Sequence, residues 1–598
     1  MKSLARSFSV VMAVATLGLL VGCGGGSSST PSGLPLSISL TATSTTLLAG
    51  QSSALTATVN NDNSGDGVTW SLSGPGTLSN ESNASVTYNA PNTVTGSQVA
   101  SITATSVANT SVAGTGQLTV VFGVSFLSTA QTVNAGAATN PTITAKVVGD
   151  SSGQGVNWGL TGPGSLANAT STTVTYVPPG SVTSNQLAYV TATSGANSAS
   201  TSSARVAVLP GTAATNVQYI TVDGGVVATN IYPNGGFTSV TVCTPGSTTN
   251  CTTVDGILVD TGSVGLRVLA SALNGLSLTP IASGGGTLNN CVAFVDGSFL
   301  WGQVVTADVH LNGLTTGTGE VASSLPLQLV ADPTSFAIPT TCNNGGIDED
   351  NQIGLGANGI IGIGPEPNDC TFGGQDFCTG VPPTGDPYYS CSGSSCVAAS
   401  VPLAQQVANP ITGFTATGDD NGSAILFQAV TGGEPTVTGT MIFGIGTQTN
   451  NPLGTATVYT MNSSDEFTTQ YSSQDLTSSF IDSGSNAYFF PDSTIPVCSD
   501  FTSFFCPTST DFLSAINMGS TQGSGSVSFS VANTDNLFDN SSDPAYGYLA
   551  GPNGTSPCNG ASCSFDWGLP FFFRGTPVFT SIDTTTVAGQ PAPPWWAY

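Results

Sequence analysis

Positive charge is scarce in this sequence of 598 residues, which holds six lysines and arginines and a single histidine, His310. Aspartate and glutamate number 33, so the net charge at neutral pH is −27. Nucleic acid and anionic lipid headgroups repel a chain of this charge, which argues against both as partners. One histidine and no Cys-x-x-Cys pair make metal binding the weaker interpretation of the cysteines. We therefore expect neither a metal nor another cofactor.

Long apolar runs are missing beyond the N-terminus. There, Lys2 and Arg6 precede an apolar centre from Val10 to Val21, and Cys23 follows a Leu-Val-Gly triplet. This order predicts an export signal over residues 1–22, not a membrane-spanning helix. Its ending resembles a bacterial lipobox, so we expect Cys23 to carry acyl chains and the Gly/Ser-rich residues 23–35 to act as a tether. A simple secretory signal with a spare cysteine is the alternative.

Apart from Cys23, cysteine is absent before Cys243, and the other twelve of the 13 cysteines lie between Cys243 and Cys563. We expect the protein in the cell envelope, in the periplasm or at the outer membrane, held to the membrane by its N-terminal lipid only. An even number of cysteines in such a protein predicts disulfides. Close spacing suggests five pairs and leaves a sixth: Cys243–Cys251, Cys370–Cys378, Cys391–Cys396, Cys498–Cys506, Cys558–Cys563 and, by remainder, Cys291–Cys342.

Short alternating runs of Ser, Thr, Val and Gly favour an all-β protein, and the length predicts three or four domains. Residues 36–121 and 122–210 repeat each other with a period of 88 residues, from Trp70 to Trp158. Each copy has about seven short runs, one tryptophan and no cysteine, which predicts two Ig-like β-sandwiches. We interpret them as spacers, with ligand binding as the alternative. Residues 211–598 then form the working domain.

Two short motifs in that domain carry the functional hypothesis. The apolar residues 257–259 lead into Asp260-Thr261-Gly262-Ser263, and residues 480–481 lead into Asp482-Ser483-Gly484-Ser485. Each apolar run predicts a core strand, and the glycine allows a sharp turn that leaves the aspartate at the mouth of the strand. Two such turns facing each other place two carboxyls in one site. Neighbouring carboxyls share a proton, so one acts as base and the other as acid.

The motifs around these turns resemble those of the pepsin-like aspartic peptidases, in the family's order, over about residues 216–583. The matching segments are the first Asp motif, a flap-like hairpin at 291–309, the apolar-Gly segment 359–364, the Gly-flanked strand 439–446, the second Asp motif and the strand 567–579. The resemblance implies that a bilobal β domain, with lobes at about 211–405 and 406–598, follows the two Ig-like sandwiches. The chain is also similar to bacterial lipoproteins that carry such a domain.

The resemblance implies a mechanism as well. Asp260 and Asp482 hold one water; one deprotonates it for attack on a peptide carbonyl, and the other protonates the carbonyl oxygen. The hydroxyl residues beside the aspartates cross-link the two turns, and the serines two positions further bond the outer carboxyl oxygens. The supporting residues implied are Thr261, Gly262, Ser263, Ser483, Gly484 and Ser485. The expected partner is a polypeptide substrate.

The flap segment departs from the family pattern. Phe294 stands where the family usually has Tyr, and Arg267 stands where it usually has Trp. Arg267 is expected to pair with Asp296 or to act on an aspartate of the site. Asp296 is expected to favour a basic substrate side chain, or else to be only a turn residue. The flap and substrate-binding residues implied are Phe294, Asp296, Gly297, Ser298 and Arg267.

Three functions stay open for the C-terminal domain. The intact pair of Asp motifs favours an exported, lipid-anchored aspartic endopeptidase. A catalytically silent domain for binding or adhesion at the cell surface is the alternative, and another acid-catalysed hydrolysis on the same scaffold is the third. No Lys/Arg-rich prosegment precedes the domain.

Overall fold

The computed structural model describes residues 36–598 with short gaps. The residues left out are 1–35, 43–44, 49, 62–64, 93, 95–96, 127–129, 138–139, 151–152, 183–185, 210–214, 228–230, 274, 295–296, 312–318, 332–337, 344–345, 381–386, 394, 540–542, 554–562 and 584. The predicted signal, Cys23 and the tether therefore lie outside the described residues. The described chain is all-β and divides between Gly211 and Thr212 into two compact units. None of its described helices has the length and apolar character needed to cross a membrane.

Residues 36–121 form two sheets around a buried core that includes Leu55, Tyr88 and Ile102. Alternate residues of the strands are buried, as in β3, because successive side chains of a strand point to opposite faces. The sheet orders are β1-β3-β6-β5 and β2-β8-β7-β4. The strands are β1 Ser37–Ala42, β2 Thr46–Leu48, β3 Ser52–Asn60, β4 Val68–Ser73, β5 Thr77–Ser79, β6 Ser85–Asn89, β7 Gln98–Ser106 and β8 Ala113–Val121.

Residues 122–209 repeat this topology strand for strand. The sheet orders are β13-β14-β11-β9 and β10-β16-β15-β12. Trp158 donates to the carbonyl of Thr170 as Trp70 donates to that of Ser82. The strands are β9 Gly123–Phe126, β10 Ala130–Asn134, β11 Thr142–Val148, β12 Val156–Thr161, β13 Ser165–Ala167, β14 Thr173–Val177, β15 Gln186–Ser194 and β16 Thr201–Leu209.

Each sandwich has eight described strands, one more than the roughly seven expected. The extra strand arises because the first segment of each copy changes sheets. In the first copy, β1 pairs antiparallel with β3, whereas β2, a few residues later, runs parallel to β8 in the opposite sheet. In the second copy, β10 pairs with β16 in the same way.

The first half of the C-terminal unit, residues 215–405, contains long paired strands. Its strands are β17 Val217–Val222, β18 Phe237–Cys243, β19 Cys251–Asp260, β20 Val264–Leu269, β21 Thr279–Pro280, β22 Ala282–Ser283, β23 Gly286–Ala293, β24 Phe299–Leu311, β25 Glu320–Val330, β26 Gly359–Ile363, β27 Thr371–Phe372, β28 Gln375–Asp376, β29 Tyr388–Ser392 and β30 Ser395–Ala398. Its short helices are α1 Thr340–Asn343, α2 Gln352–Leu355 and the 3-10 turns Ala270–Leu273 and Leu403–Gln405.

The second half, residues 406–598, follows with further strands. They are β31 Gly422–Phe427, β32 Gly433–Glu434, β33 Val437–Phe443, β34 Val458–Thr460, β35 Phe467–Tyr471, β36 Gln474–Ile481, β37 Tyr488–Phe490, β38 Asp511–Met518, β39 Ser524–Val531, β40 Ala545–Tyr546, β41 Ala550–Pro552, β42 Asp566–Trp567, β43 Val578–Ser581 and β44 Trp595–Ala597. Its helices are α3 Thr534–Phe538 and the 3-10 turns Pro410–Gly413 and Leu569–Phe572.

The two halves repeat one arrangement of four strands around an Asp-turn. In the first half, β26 runs parallel to β19 and antiparallel to β20, and β20 runs parallel to β25. In the second half, β42 runs parallel to β36 and antiparallel to β37, and β37 runs parallel to β41. Each Asp-turn thus joins two strands that are separated by a third strand inserted from far along the chain.

The halves also share a sheet and a core. The first strand of the unit, β17, pairs with β33 of the second half, so a division into two contiguous lobes does not describe the strand pairing fully. One buried cluster extends from Ile220 to Trp596. It is aliphatic behind the first turn, with Ile257, Leu266 and Ile361, and aromatic behind the second, where Phe565 and Trp567 stack at 3.8 Å.

Disulfides are confined to this unit, among the described residues, and follow the predicted pairing. The bonded pairs are Cys243–Cys251, Cys291–Cys342, Cys370–Cys378, Cys391–Cys396 and Cys498–Cys506. Cys563 is also disulfide-bonded, and its predicted partner Cys558 lies outside the described residues.

Several carboxyls of the unit are buried, which disfavours their charged form. Burial, and then the charge of Asp465, raises the pKa of Glu366 to about 9. Burial is also the main cause that raises the pKa of Asp348 to about 7, that of Glu320 to about 7 and that of Asp465 to about 6. These groups bind protons in the folded state at pH values where the unfolded chain has released them.

We expect the protein to melt at a higher temperature near pH 5 than near pH 8. Unfolded carboxyls titrate near pH 4, whereas the buried ones titrate up to about pH 9. Across this window the unfolded state binds fewer protons, so the free energy of unfolding falls as the pH rises. Calorimetry at constant ionic strength measures this slope, and Glu366→Gln should make it shallower. A melting temperature that drops steadily from about pH 7 to pH 4 would contradict the prediction.

Candidate active site

The two Asp-turns face each other and are joined by reciprocal hydrogen bonds. The backbone N–H of Thr261 donates to Oγ of Ser483 at 3.0 Å, and the N–H of Ser483 donates to Oγ1 of Thr261 at 2.9 Å. Each hydroxyl then donates to the opposite strand, Thr261 to the carbonyl of Ile481 at 3.1 Å and Ser483 to that of Val259 at 2.8 Å. The cross-link between turns that the sequence predicted for Thr261 and Ser483 is therefore present.

Within each turn the carboxyl group accepts two hydrogen bonds in the same pattern. Oδ1 of Asp260 accepts from the N–H of Gly262 at 3.0 Å, and its Oδ2 accepts from the hydroxyl of Ser263. Oδ1 of Asp482 accepts from the N–H of Gly484 at 2.7 Å, and its Oδ2 accepts from the hydroxyl of Ser485 at 3.1 Å. The serines thus bond one carboxyl oxygen each, as the sequence predicted.

Gly262 is required by the close approach of the two turns. A Cβ at this position would lie 2.4 Å from Cγ of Asp482, a distance that real Cβ contacts do not show. The backbone of the first turn therefore lies against the carboxyl of the second, and a side chain here would push the two turns apart.

The predicted flap lies between β23 and β24. The N–H of Phe294 donates to the carbonyl of Ser298 at 2.8 Å, and Gly297 adopts a φ of 89°. Phe294 is buried with Tyr232, Phe237 and Leu258 in one apolar cluster. Residues 295–296 lie outside the described residues, so the contacts expected of Asp296 stay predictions.

Arg267 lies in a buried polar network that sequence reasoning did not identify. Its side chain is 2% exposed and forms an ion pair with Asp369 at 3.0 Å. It also donates to Oδ1 of Asn290 at 2.8 Å and to Oε1 of Gln328 at 2.7 Å. Tyr388 donates to the other oxygen of Asp369 at 2.5 Å. The partner of Arg267 among the described residues is thus Asp369, and its pairing with Asp296 stays a prediction because residue 296 lies outside them.

Asp566 is a third carboxyl at the site, and it too was missed. Its Oδ2 lies 2.6 Å from Oγ of Ser485, the same hydroxyl that contacts Asp482. Burial, and then the charges of Asp482 and Asp260, raise the pKa of Asp566 well above its ordinary value. The sequence signal is a single acid between two aromatic residues, Phe565 and Trp567, where a core strand should be apolar throughout.

Among the described residues, one cluster of side chains has ligand atoms close enough together to hold a metal ion. It consists of Cys498, Cys506 and Asp535. The two cysteines are bonded to each other as a disulfide, so neither offers a thiolate.

Comparison with known proteins gives one family match. A protein-family model described as "Protein of unknown function (DUF3443)" matches residues 212–598. No curated protein matches the chain.

Among solved structures, the Escherichia coli adhesin FdeC is 18% identical, with 49% of this chain and 98% of the adhesin covered at a TM-score of 0.14. Domains 4 and 5 of the S-layer protein SbsC are 19% identical, covering 29% of this chain and all of theirs at a TM-score of 0.14. The titin domains z1z2, solved with telethonin, are 14% identical and cover 30% of this chain and 98% of theirs at a TM-score of 0.14. TM-scores this low do not establish a common fold.

Removing the hydroxyl of Thr261 should destabilise the C-terminal unit. Thr261→Val keeps the shape of the side chain but leaves the buried N–H of Ser483 and the carbonyl of Ile481 without their partner, at a cost of about 1–3 kcal/mol for each unsatisfied group. Denaturant unfolding measures the loss. Thr477→Val, at an exposed position of β36, is the matched control and should change stability by no more than about 0.5 kcal/mol. Equal losses in the two variants would contradict the cross-link.

Proposed function

The chain belongs to the DUF3443 family, and from that premise we propose that residues 212–598 are an aspartic endopeptidase domain of pepsin-like design. Asp260 and Asp482 act together on one water. The substrate is a polypeptide. The domain works outside the cytoplasm, anchored through a lipid on Cys23, with the two sandwiches as spacers.

The reciprocal bonding of the two Asp-turns is the observation that supports this proposal most strongly. A cross-link through Thr261 and Ser483 holds two carboxyls in one fixed relation, and each carboxyl is oriented by a backbone N–H and a serine. A core that only needed to be filled would not bring three acidic side chains so close that the charges of Asp482 and Asp260 act on Asp566. Fixed, hydrogen-bonded groups of this kind are what general acid–base catalysis uses.

The proposed reaction needs no covalent intermediate. One aspartate, ionised, takes a proton from the water as the water oxygen attacks the carbonyl carbon of the substrate. The other, protonated, gives its proton to the carbonyl oxygen, and a tetrahedral diol forms. Collapse of the diol breaks the C–N bond. One diol hydroxyl returns its proton to the aspartate that gave it, which leaves the carboxyl group of the first product, and the proton taken from water passes to the leaving amine.

A second candidate has its own supporting observation. Asp260 and Asp482 are both 0% exposed, and the flap residues Phe294 and Ser298 are buried too. A polypeptide reaches the carboxyls only after the cleft opens. A catalytically silent domain for binding or adhesion at the cell surface needs no such opening, and the retained acid pair is what argues against it.

Proteolysis should depend on both aspartates equally, because a single carboxyl cannot act as acid and base in one step. Asp260→Asn and Asp482→Asn should each lower kcat/KM by at least about 10²–10⁴-fold. Cleavage of a fluorogenic peptide pool measures the rate, and circular dichroism shows whether each variant is folded. Asp475→Asn, an exposed aspartate on β36, is the matched control and should leave the rate unchanged. Cleavage near the wild-type rate in either catalytic variant would rule the mechanism out.

A further inference from the structure

The hydroxyl of Ser485 bridges two carboxyls. Its Oγ lies 3.1 Å from Oδ2 of Asp482 and 2.6 Å from Oδ2 of Asp566. A serine has one proton to donate. Since both contacts are hydrogen bonds, one of the two carboxyls must itself be protonated and donate to Ser485. The geometry therefore requires a bound proton on the pair Asp482 and Asp566 while the bridge exists.

Asp566 is the member of the pair better suited to keep this proton. It is 2% exposed, and its Oδ1 has no hydrogen-bond partner among the described residues. Asp482, by contrast, accepts from the N–H of Gly484 as well as from Ser485. An ionised carboxyl with an unpaired buried oxygen is costly, whereas one that accepts two hydrogen bonds is stabilised in its charged form.

The charges around Asp566 point the same way. Asp566 is paired with Phe480 of β36 on one side and with Phe489 of β37 on the other. The acids that act on it are Asp482, in the turn after β36, and Asp260, in the facing turn. The two aspartates are the charged groups that act on Asp566, and both disfavour a further negative charge.

The first half of the site has an apolar residue, Ile360, at the position equivalent to Asp566. The register pairs Phe480 with Asp566 in the second half and Leu258 with Ile360 in the first. Ile360 is fully buried, so an apolar side chain satisfies this position when no carboxyl is needed. The hydrogen-bonded chain from Asp482 through Ser485 to Asp566 therefore has no equivalent in the first half, where Ile360 occupies the position of Asp566.

We propose that Asp566 is a positioning residue that stays protonated, donates to Ser485 and so directs the serine's single proton onto Asp482. Asp482 is then the ionised member of the pair, which takes the proton from water, and Asp260 is the acid. Hydrogen bonds in such a chain strengthen one another, so the negative charge on Asp482 is better stabilised than that on Asp260. This assignment rests on the proposed peptidase function.

Kinetics of two Asp566 variants test the assignment. Asp566→Asn keeps a donor to Ser485 at every pH, and we expect kcat/KM within about threefold of the wild type. Asp566→Leu removes the donor, and we expect kcat/KM to fall about tenfold or more, with the acid limb of the pH profile moved to higher pH. Glu366→Gln removes another buried acid outside the turns and should leave the profile in place. A loss in Asp566→Asn as large as that in Asp566→Leu, or a loss in Asp566→Leu with no movement of the acid limb, would overturn the proposal.

A measurement that needs no peptidase activity separates this proposal from the proposed function. An aspartate in the unfolded chain ionises above about pH 4, whereas a protonated Asp566 in the folded chain does not. The wild type should therefore lose stability relative to Asp566→Asn as the pH rises, and the difference in melting temperature should widen from about pH 4 to pH 8. A difference that stays constant over this range means that Asp566 is ionised when folded, which overturns the proposal even if the chain cleaves nothing.

Discussion

The rest of the C-terminal unit depends on four hydrogen bonds that join the two Asp-turns through Thr261 and Ser483. Each turn leaves a buried N–H and a buried carbonyl that its own half does not satisfy, and each is satisfied by the other half. Neither half completes its own Asp-turn alone. Two acidic side chains that would otherwise repel each other are held together, and the shared core from Ile220 to Trp596 supports the arrangement.

The elements of the site that lie close together in the sequence were predictable. Asp-[Ser/Thr]-Gly-Ser after an apolar run combines a core strand, a glycine turn and two hydroxyl groups within four residues, so its local geometry follows from local chemistry. The same holds for Cys243–Cys251 and the other closely spaced disulfides, since short loops leave few alternative partners. The repeat of the sandwiches was visible because Trp70 and Trp158 occupy equivalent positions, in β4 and β12, of the same fold.

What could not be predicted depends on pairing between distant strands. Asp369 follows Arg267 by 102 residues, and Asp566 follows Ser485 by 81 residues. Nothing local marks either pair, because each contact exists only after β26 or β42 has been inserted between the strands that flank an Asp-turn. The pairing of β17 with β33 of the second half also joins distant strands, and nothing local in the sequence marks it. The acid in the aromatic run at Asp566 was the one visible sign, and it conflicted with the apolar character of the strand.

Inhibition by a statine-type peptide is the most direct test of the central claim that the two turns form one acid–base site. The purified protein is incubated with a denatured protein mixture from about pH 3 to pH 7, with and without pepstatin, whose hydroxyl mimics the tetrahedral diol between two carboxyls. The account predicts cleavage that is strongest in acid and is abolished by the inhibitor. Cleavage that pepstatin does not affect, or a folded protein that neither cleaves nor binds pepstatin anywhere in this range, would contradict it.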